Sequence, residues 1–333
     1  MPVNQTLSTY SDMAYATSVV IYIFAMLLYL GEFAFGTPGK AVRRKEVAQV
    51  GAGGGSTVAE APPEVGRIEQ PERRPLRERL GGMAVSMTVL GVLVHFASLL
   101  LRGLATNRVP WGNMYEFGSA ICLAACIAWL VTLYALAKSQ TGSAVRVRPL
   151  GGFLMLPVVL LLFLSGTVLY AEAAPLQPAL QSYWIVIHVS AAVISSGVLL
   201  VAGVASLLYL LRLRHENNPL KLAKFGSRLP TSQTLDRLAY RTTVLIFPMW
   251  TFAIIAGAIW AEAAWGRFWG WDPKETTSLV AWIVYAAYLH ARATAGWRGA
   301  RAAWINILGL AVMIFNLFFV NIVVSGLHSY AGL

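Results

Sequence analysis

The chain carries five histidines, at positions 95, 188, 215, 290 and 328. Two of them flank, in sequence order, a stretch of unusual composition. His188 lies in SYWIVIHVS, His328 lies in VSGLHSYAGL, and between them runs EAAWGRFWGWDPKETTS, residues 262–278. That stretch packs Trp265, Trp269 and Trp271 into seven residues, with Phe268 among them and Asp272-Pro273-Lys274-Glu275 behind. A neutral imidazole is a good metal ligand. An indole offers a large apolar face and a single N–H donor. Gly266 and Gly270 would let the backbone approach a flat group. Such a set suits a planar, mostly apolar ligand with polar edges and a metal at its centre. Haem, whose iron is commonly held by axial histidine, answers that description. A plain belt of interfacial aromatics would need neither the glycines nor the DPKE turn. A lone histidine near a helix end is ordinarily a hydrogen-bonded structural residue. A shared side of the membrane, and the aromatic loop between the two, favour haem.

That shared side follows from the elements that carry these residues. Of 333 residues, 57% are hydrophobic and only 12% charged, against about 25% charged in ordinary soluble domains. This excludes a soluble enzyme, a disordered chain and a fibrous repeat. Apolar runs long enough for a bilayer occur at about 13–35, 82–101, 117–137, 150–170, 184–211, 242–263, 277–291 and 304–324. Each is expected to be a helix, because lipid offers no partner to open backbone groups. The seventh is short and could extend into the loop before it. The expected fold is therefore all-α: a polytopic membrane protein of about eight transmembrane helices. Segments 36–81, 138–149, 212–241 and 292–303 hold 22 of the 26 Lys and Arg residues. They are expected on the cytoplasmic side, which puts both termini, and the loops 102–118, 171–184 and 262–278, outside. The net charge of +11 is spread over cytoplasmic loops, so it reports topology and contact with anionic lipid rather than nucleic acid.

Three units are expected: an N-terminal transmembrane helix at 1–35, a flexible basic linker at 36–81, and a haem-handling membrane domain at 82–333. The linker reading rests on GAGGGS, PPEV and PERRPLRERL, which lack apolar periodicity. The loop 212–241, ending in LDRLAYR, is expected to lie as a helix at the membrane surface. His290 sits near the cytoplasmic end of the seventh span, and ionisable groups inside spans default to function. It is kept as a second haem ligand. His95 lies roughly 10 Å below the external surface and His290 roughly 20 Å below it. Those depths do not match for a shared iron, so the partner of His290 would come from another subunit. His95 is equally explained by a hydrogen bond to a neighbouring helix. His215 reads as a solvated loop residue. Cys122 and Cys126, the only cysteines, lack the C-x-x-C spacing of a redox or haem-attachment motif and read as packing residues.

AIWAEAAWGRFWGWDPKETTSLVAWIVYAAYLHAR resembles the tryptophan-rich WWD signature of haem-handling cytochrome c biogenesis proteins. The arrangement is similar to the CcsA/ResC type of the System II pathway. ALQSYWIVIHVS with His188, and GLHSYAG with His328, match that family's two external histidines. RVPWGNMYEFG resembles its external P…N-x-Y-E loop, and His290 falls at its intramembrane histidine. The likeness covers about residues 95–333. It implies a membrane subunit of a cytochrome c haem lyase, or synthetase. Haem b would be presented on Trp265, Trp269 and Trp271 with His188 and His328 as axial ligands, for thioether attachment to the CXXCH motif of apocytochrome c. Asp272 would shape the turn or hydrogen-bond near a propionate. The implied partners are a CcsB/ResB-type membrane protein, apocytochrome c, and thioredoxin-like proteins of a thiol-reducing pathway. With no transit peptide in view, the expected location is the bacterial plasma (inner) membrane, with the active site on the periplasmic side. Rival readings are a haem exporter without ligation activity, a transmembrane di-haem electron carrier and a colourless assembly scaffold.

Overall fold

The computed structural model describes residues 3–35, 75–139, 143–176 and 180–328. Among the described residues every regular element is a helix: α1 Gln5–Ala34, α2 Leu76–Thr106, α3 Met114–Lys138, α4 Ser143–Val147, a 3-10 turn Arg148–Leu150, α5 Gly151–Thr167, α6 Tyr183–Asn217, α7 Ala223–Gly226, α8 Ser232–Trp265, α9 Pro273–Ala293, α10 Ala300–Leu317 and α11 Phe319–Ile322. Seven stretches are long and apolar enough to cross a membrane. The all-α polytopic fold is thus as expected. Of the expected linker, residues 36–74 lie outside the described residues, and its last part, from Leu76, already belongs to α2.

The seventh expected span, α9, is the one not among these, and it differs in composition. Its 21 residues give a length of roughly 31 Å, enough for the bilayer core. Its first turn is polar, with Lys274, Glu275, Thr276, Thr277 and Ser278, and its last turn carries His290 and Arg292. Yet it traverses the bundle. Near its start, Lys274 Nζ donates to Asn316 O at 2.9 Å and Asn316 Nδ2 donates to Ser278 Oγ at 3.0 Å. Midway, Trp282 Nε1 donates to Thr251 Oγ1 at 2.8 Å. Near its end, Arg292 pairs with Asp236 at 2.8 Å. So α9 runs antiparallel to both α8 and α10 from one end of the bundle to the other.

The helices form two groups. In the first, α1 packs on α2 and α5, with α3 against α2 and α5; in the second, α6 packs on α8 and α10, and α9 on α8 and α10. The α3–α6 contact joins them. One face of α1 is buried at Ser11, Tyr15, Ser18, Tyr22, Ala25 and Tyr29. This alternating spacing of three and four residues places a single stripe against the neighbouring helices. Helix starts are capped by side chains: Asn4 for α1, Asn113 for α3, Ser182 for α6 and Thr231 for α8, each satisfying an amide that has no carbonyl partner within its helix.

Ion pairs tie each end. At one, buried Glu116 accepts from Arg102 Nε at 3.1 Å, from Arg108 at 2.7 and 3.0 Å, and from the Gly112 N–H at 2.7 Å. Arg102 also reaches Asp12 at 3.4 Å and the carbonyl of Ala171. At the other end, Arg148 pairs with buried Glu32 at 2.6 Å. The Asn4 N–H donates to Ala105 O at 2.9 Å, and the residues around Trp111 share a cavity with His328. The described chain therefore begins and ends at the same end of the bundle, the one that carries the tryptophan-rich loop.

Candidate functional site

At the tryptophan end a cavity opens between the two helix groups. It holds about 1460 Å³ of empty space, open solvent at its mouth included. It reaches as far as Ser196 and Leu200 on α6, roughly 20 Å along that helix from its first turn. Its wall is mainly apolar and aromatic, with Trp111, Phe117, Trp250, Trp260, Phe268 and Trp269, and both His188 and His328 line it.

Each imidazole is oriented through Nδ1. His188 stands in the second turn of α6 and donates from Nδ1 to the carbonyl of Ala253 on α8 at 2.8 Å. Room for the ring comes from Gly257, where a Cβ would lie 2.7 Å from the imidazole. His328, in the chain after α11, donates from Nδ1 to Asp272 Oδ1 at 2.8 Å. Both bonds select the tautomer whose basic lone pair is on Nε2. An imidazole tied through one nitrogen to a carbonyl or carboxylate, with the other nitrogen basic, is the usual arrangement of a metal ligand. The indole of Trp260 adjoins both rings. It lies parallel to His188 with centroids 6.2 Å apart, and meets His328 edge-on at 5.7 Å.

The other residues expected at the site divide. Trp265 packs on His328 at 5.0 Å and on Trp260 at 4.7 Å. Trp269 lines the cavity. Trp271 does not; it is 70% exposed and meets Trp269 edge-on at 5.8 Å. His290 lies exposed in the last turn of α9, at the opposite end of the bundle, and does not reach the cavity. His95 is fully buried, with Nε2 2.7 Å from Ser119 Oγ and Nδ1 3.4 Å from Tyr22 OH. Those partners on α3 and α1 account for it as an interhelical hydrogen-bonding residue. Cys122 and Cys126 are buried in the core.

Asp272 is the hub of the loop. It caps α9, accepting from the Lys274 N–H at 3.0 Å, and Glu275 completes a capping box. It also accepts the Leu327 N–H at 2.8 Å. Burial pushes its carboxyl up, but the hydrogen bond from His328 and those from the amides of Lys274 and Leu327 outweigh that and hold it down at about 2. Glu275 grips the loop itself, with the Gly270 N–H at 2.8 Å, the Asp272 N–H at 3.1 Å and Arg267 at 3.3 Å. Trp271, between those two amides, has φ +58°, a left-handed conformation that costs energy for a bulky residue. The glycines serve another purpose than close approach to a ligand. Gly266 ends α8 with φ +70°, and Gly270 leaves space that Arg267 fills.

Sequence reasoning missed Trp260, Lys274 and the cavity face of α8. Trp250, Ala253, Gly257 and Trp260 recur at steps of three and four residues, which marks one helix face. Three polar atoms in the cavity wall, Trp111 Nε1, Trp250 Nε1 and Asn316 Oδ1, have no hydrogen-bond partner among the described residues. Groups of that kind in an apolar wall suit a ligand with polar atoms at its edge. Two Nε2 atoms, aromatic walls and these atoms fit a metalloporphyrin.

Fold and site together define a multi-pass membrane protein with a histidine- and tryptophan-lined cavity at one end. A profile of the family described as cytochrome C assembly protein matches residues 111–328. The cytochrome c biogenesis protein CcsA of Chlamydomonas reinhardtii is 36% identical over 280 residues, 79% of this chain and 76% of its own length. CcsA of Parasynechococcus marenigrum (strain WH8102) is 36% identical over 269 residues, 75% of this chain and 86% of its own. CcsA of Guillardia theta is 42% identical over 176 residues, 49% of this chain and 58% of its own. The chain belongs to the cytochrome c assembly family and is a CcsA-type membrane subunit of cytochrome c biogenesis.

Proposed function

We propose that the protein is the haem-presenting subunit of a cytochrome c synthetase. It takes haem b as substrate, holds the iron between His188 and His328 and offers the ring to apocytochrome c. The observation that carries this reading is the pair of imidazoles on one cavity, each fixed through Nδ1 with its lone pair on Nε2. Trp260, Trp265 and Trp269 supply aromatic surface beside them. Exposed Trp271, held in its unusual backbone by Glu275, is the part of the loop that meets an incoming protein.

Haem supplies the iron and two vinyl groups. Each thioether forms when a cysteine S–H of the apocytochrome CXXCH motif adds across a vinyl C=C. The sulfur bonds one carbon, the proton goes to the other, and no net electrons move. The thiols must therefore arrive reduced, which calls for the thioredoxin-like pathway. The histidine of the CXXCH motif replaces one of the two axial ligands. His328 is the one to yield: it stands in a turn outside any helix, whereas His188 is built into a long helix. A CcsB/ResB-type partner completes the complex, and exposed His290 is a ligand for a second haem, paired with a residue from another subunit. The distribution of Lys and Arg orients the tryptophan end to the periplasm in a bacterial plasma membrane.

The test is purification of wild type, His188→Ala and His328→Ala with the partner, recording haem spectra and cytochrome c maturation. Loss of the bis-histidine spectrum and of holocytochrome in both variants is expected, with partial rescue by imidazole. Normal maturation in both refutes the ligand assignment.

A further inference from the structure

We propose that Lys274 binds a carboxylate of the haem substrate and thereby fixes which way the ring is turned between His188 and His328. This rests on the haem-presenting reading above and adds to it the contact that selects an orientation. Two axial imidazoles leave one degree of freedom open, rotation of the porphyrin about the axis through its iron. The four ring nitrogens look alike from that axis. Only the periphery distinguishes the rotations, and its charged groups are two propionates on one edge.

Among the described residues that line the cavity, Lys274 is the charged side chain without an oppositely charged partner. Its ammonium donates to the main-chain carbonyl of Asn316 at 2.9 Å. No carboxylate of the described residues lies within ion-pair distance of it. The two acids beside it in sequence are committed elsewhere. Asp272 accepts from His328, Leu327 and the Lys274 main chain. Glu275 accepts from Arg267, Gly270 and Asp272. An ammonium carries three donors, so two remain for a ligand besides the one given to Asn316. A partly buried cation facing an apolar cavity is costly until an anion meets it. Asn316 adds an acceptor without a partner among the described residues, Oδ1, to the same wall. A ligand that carries a carboxylate at the rim of a planar apolar body satisfies all three conditions: charge, shape and metal.

The test compares haem with its dimethyl ester, in which both carboxylates are masked, by optical titration of the purified full chain in detergent. A charge-assisted hydrogen bond is expected to give wild type a roughly tenfold or greater preference for the free acid. Lys274→Met should bind both porphyrins alike, at the affinity wild type shows for the ester. Lys274→Arg should keep most of the preference. Taking the ratio of the two preferences cancels any difference in how the porphyrins partition into detergent. An unchanged preference in Lys274→Met, or no preference in wild type, overturns the proposal while leaving the histidine assignment intact. A wild type that binds neither porphyrin, or whose bound spectrum is indifferent to His188→Ala, overturns the haem-presenting reading and this one with it.

Discussion

Replacing Asp272 by Asn tests the tie between the carboxylate and His328 while keeping a capping residue at the start of α9. Oδ1 of Asp272 accepts from His328 at 2.8 Å and from the Lys274 amide at 3.0 Å, while Oδ2 accepts from the Leu327 amide at 2.8 Å. An asparagine supplies one oxygen and one NH₂. With its oxygen in the Oδ1 position the helix cap survives, but the NH₂ faces the Leu327 N–H, donor against donor. Turned the other way, it faces both His328 and Lys274 with donors. The negative charge is lost in either case. Hydrogen bonds to a charged group contribute about 1.5–3 kcal/mol, and loss of the group that holds a metal-ligating imidazole lowers metal affinity by about 10–100-fold. The expected outcome is a fall of that size in haem affinity for Asp272→Asn, read by optical titration in detergent. Asn is itself a good N-cap, so α9 should stay folded by circular dichroism. Wild-type haem affinity in Asp272→Asn, beside a large loss in His328→Ala, would refute the claim that Asp272 orients the ligand.

Gly257→Ala should weaken haem binding through His188, because the new methyl would lie 2.7 Å from the imidazole; unchanged spectra would mean the ring does not depend on that space. His95→Ala should cost roughly 1–3 kcal/mol of stability by stranding buried Ser119 and Tyr22, measured by thermal melting, and should leave the external haem spectrum unaltered. The depressed carboxyl of Asp272, at about 2, favours the folded state above its unfolded value, near 3.9, and that contribution is lost as pH falls toward 2. The difference in melting temperature between wild type and Asp272→Asn should therefore be flat from pH 7 to about 5 and narrow below that; narrowing already at pH 6 would mean another group controls the link.

Most of the spans were legible because an apolar run has few alternatives to a helix in lipid. For α9, length and ends were readable, but its polar first and last turns make sense only beside Asn316 and Asp236, on α10 and α8. His188 and His328 stood out by residue type and by neighbouring aromatics. What holds them was hidden for a physical reason. Ala253 contributes a main-chain carbonyl, and every residue has one. Trp260 lies outside the 265–271 cluster in sequence and meets the imidazoles only through the packing of α6 and the segment after α11 on α8. Gly266 and Gly270 suggested a flat ligand, yet they answer to a helix end and to Arg267.

The anchoring of Glu116 carries a last consequence. The matched family stretch starts at residue 111, yet Glu116 is clasped by Arg102 of α2, which also reaches Asp12 of α1. The first two helices are thus riveted to the loop that frames the cavity mouth, although they lie upstream of that stretch. A chimaera that borrowed its leading segments from a relative would have to bring matching charges at both positions. Otherwise a guanidinium or an acid would be left stranded at the rim.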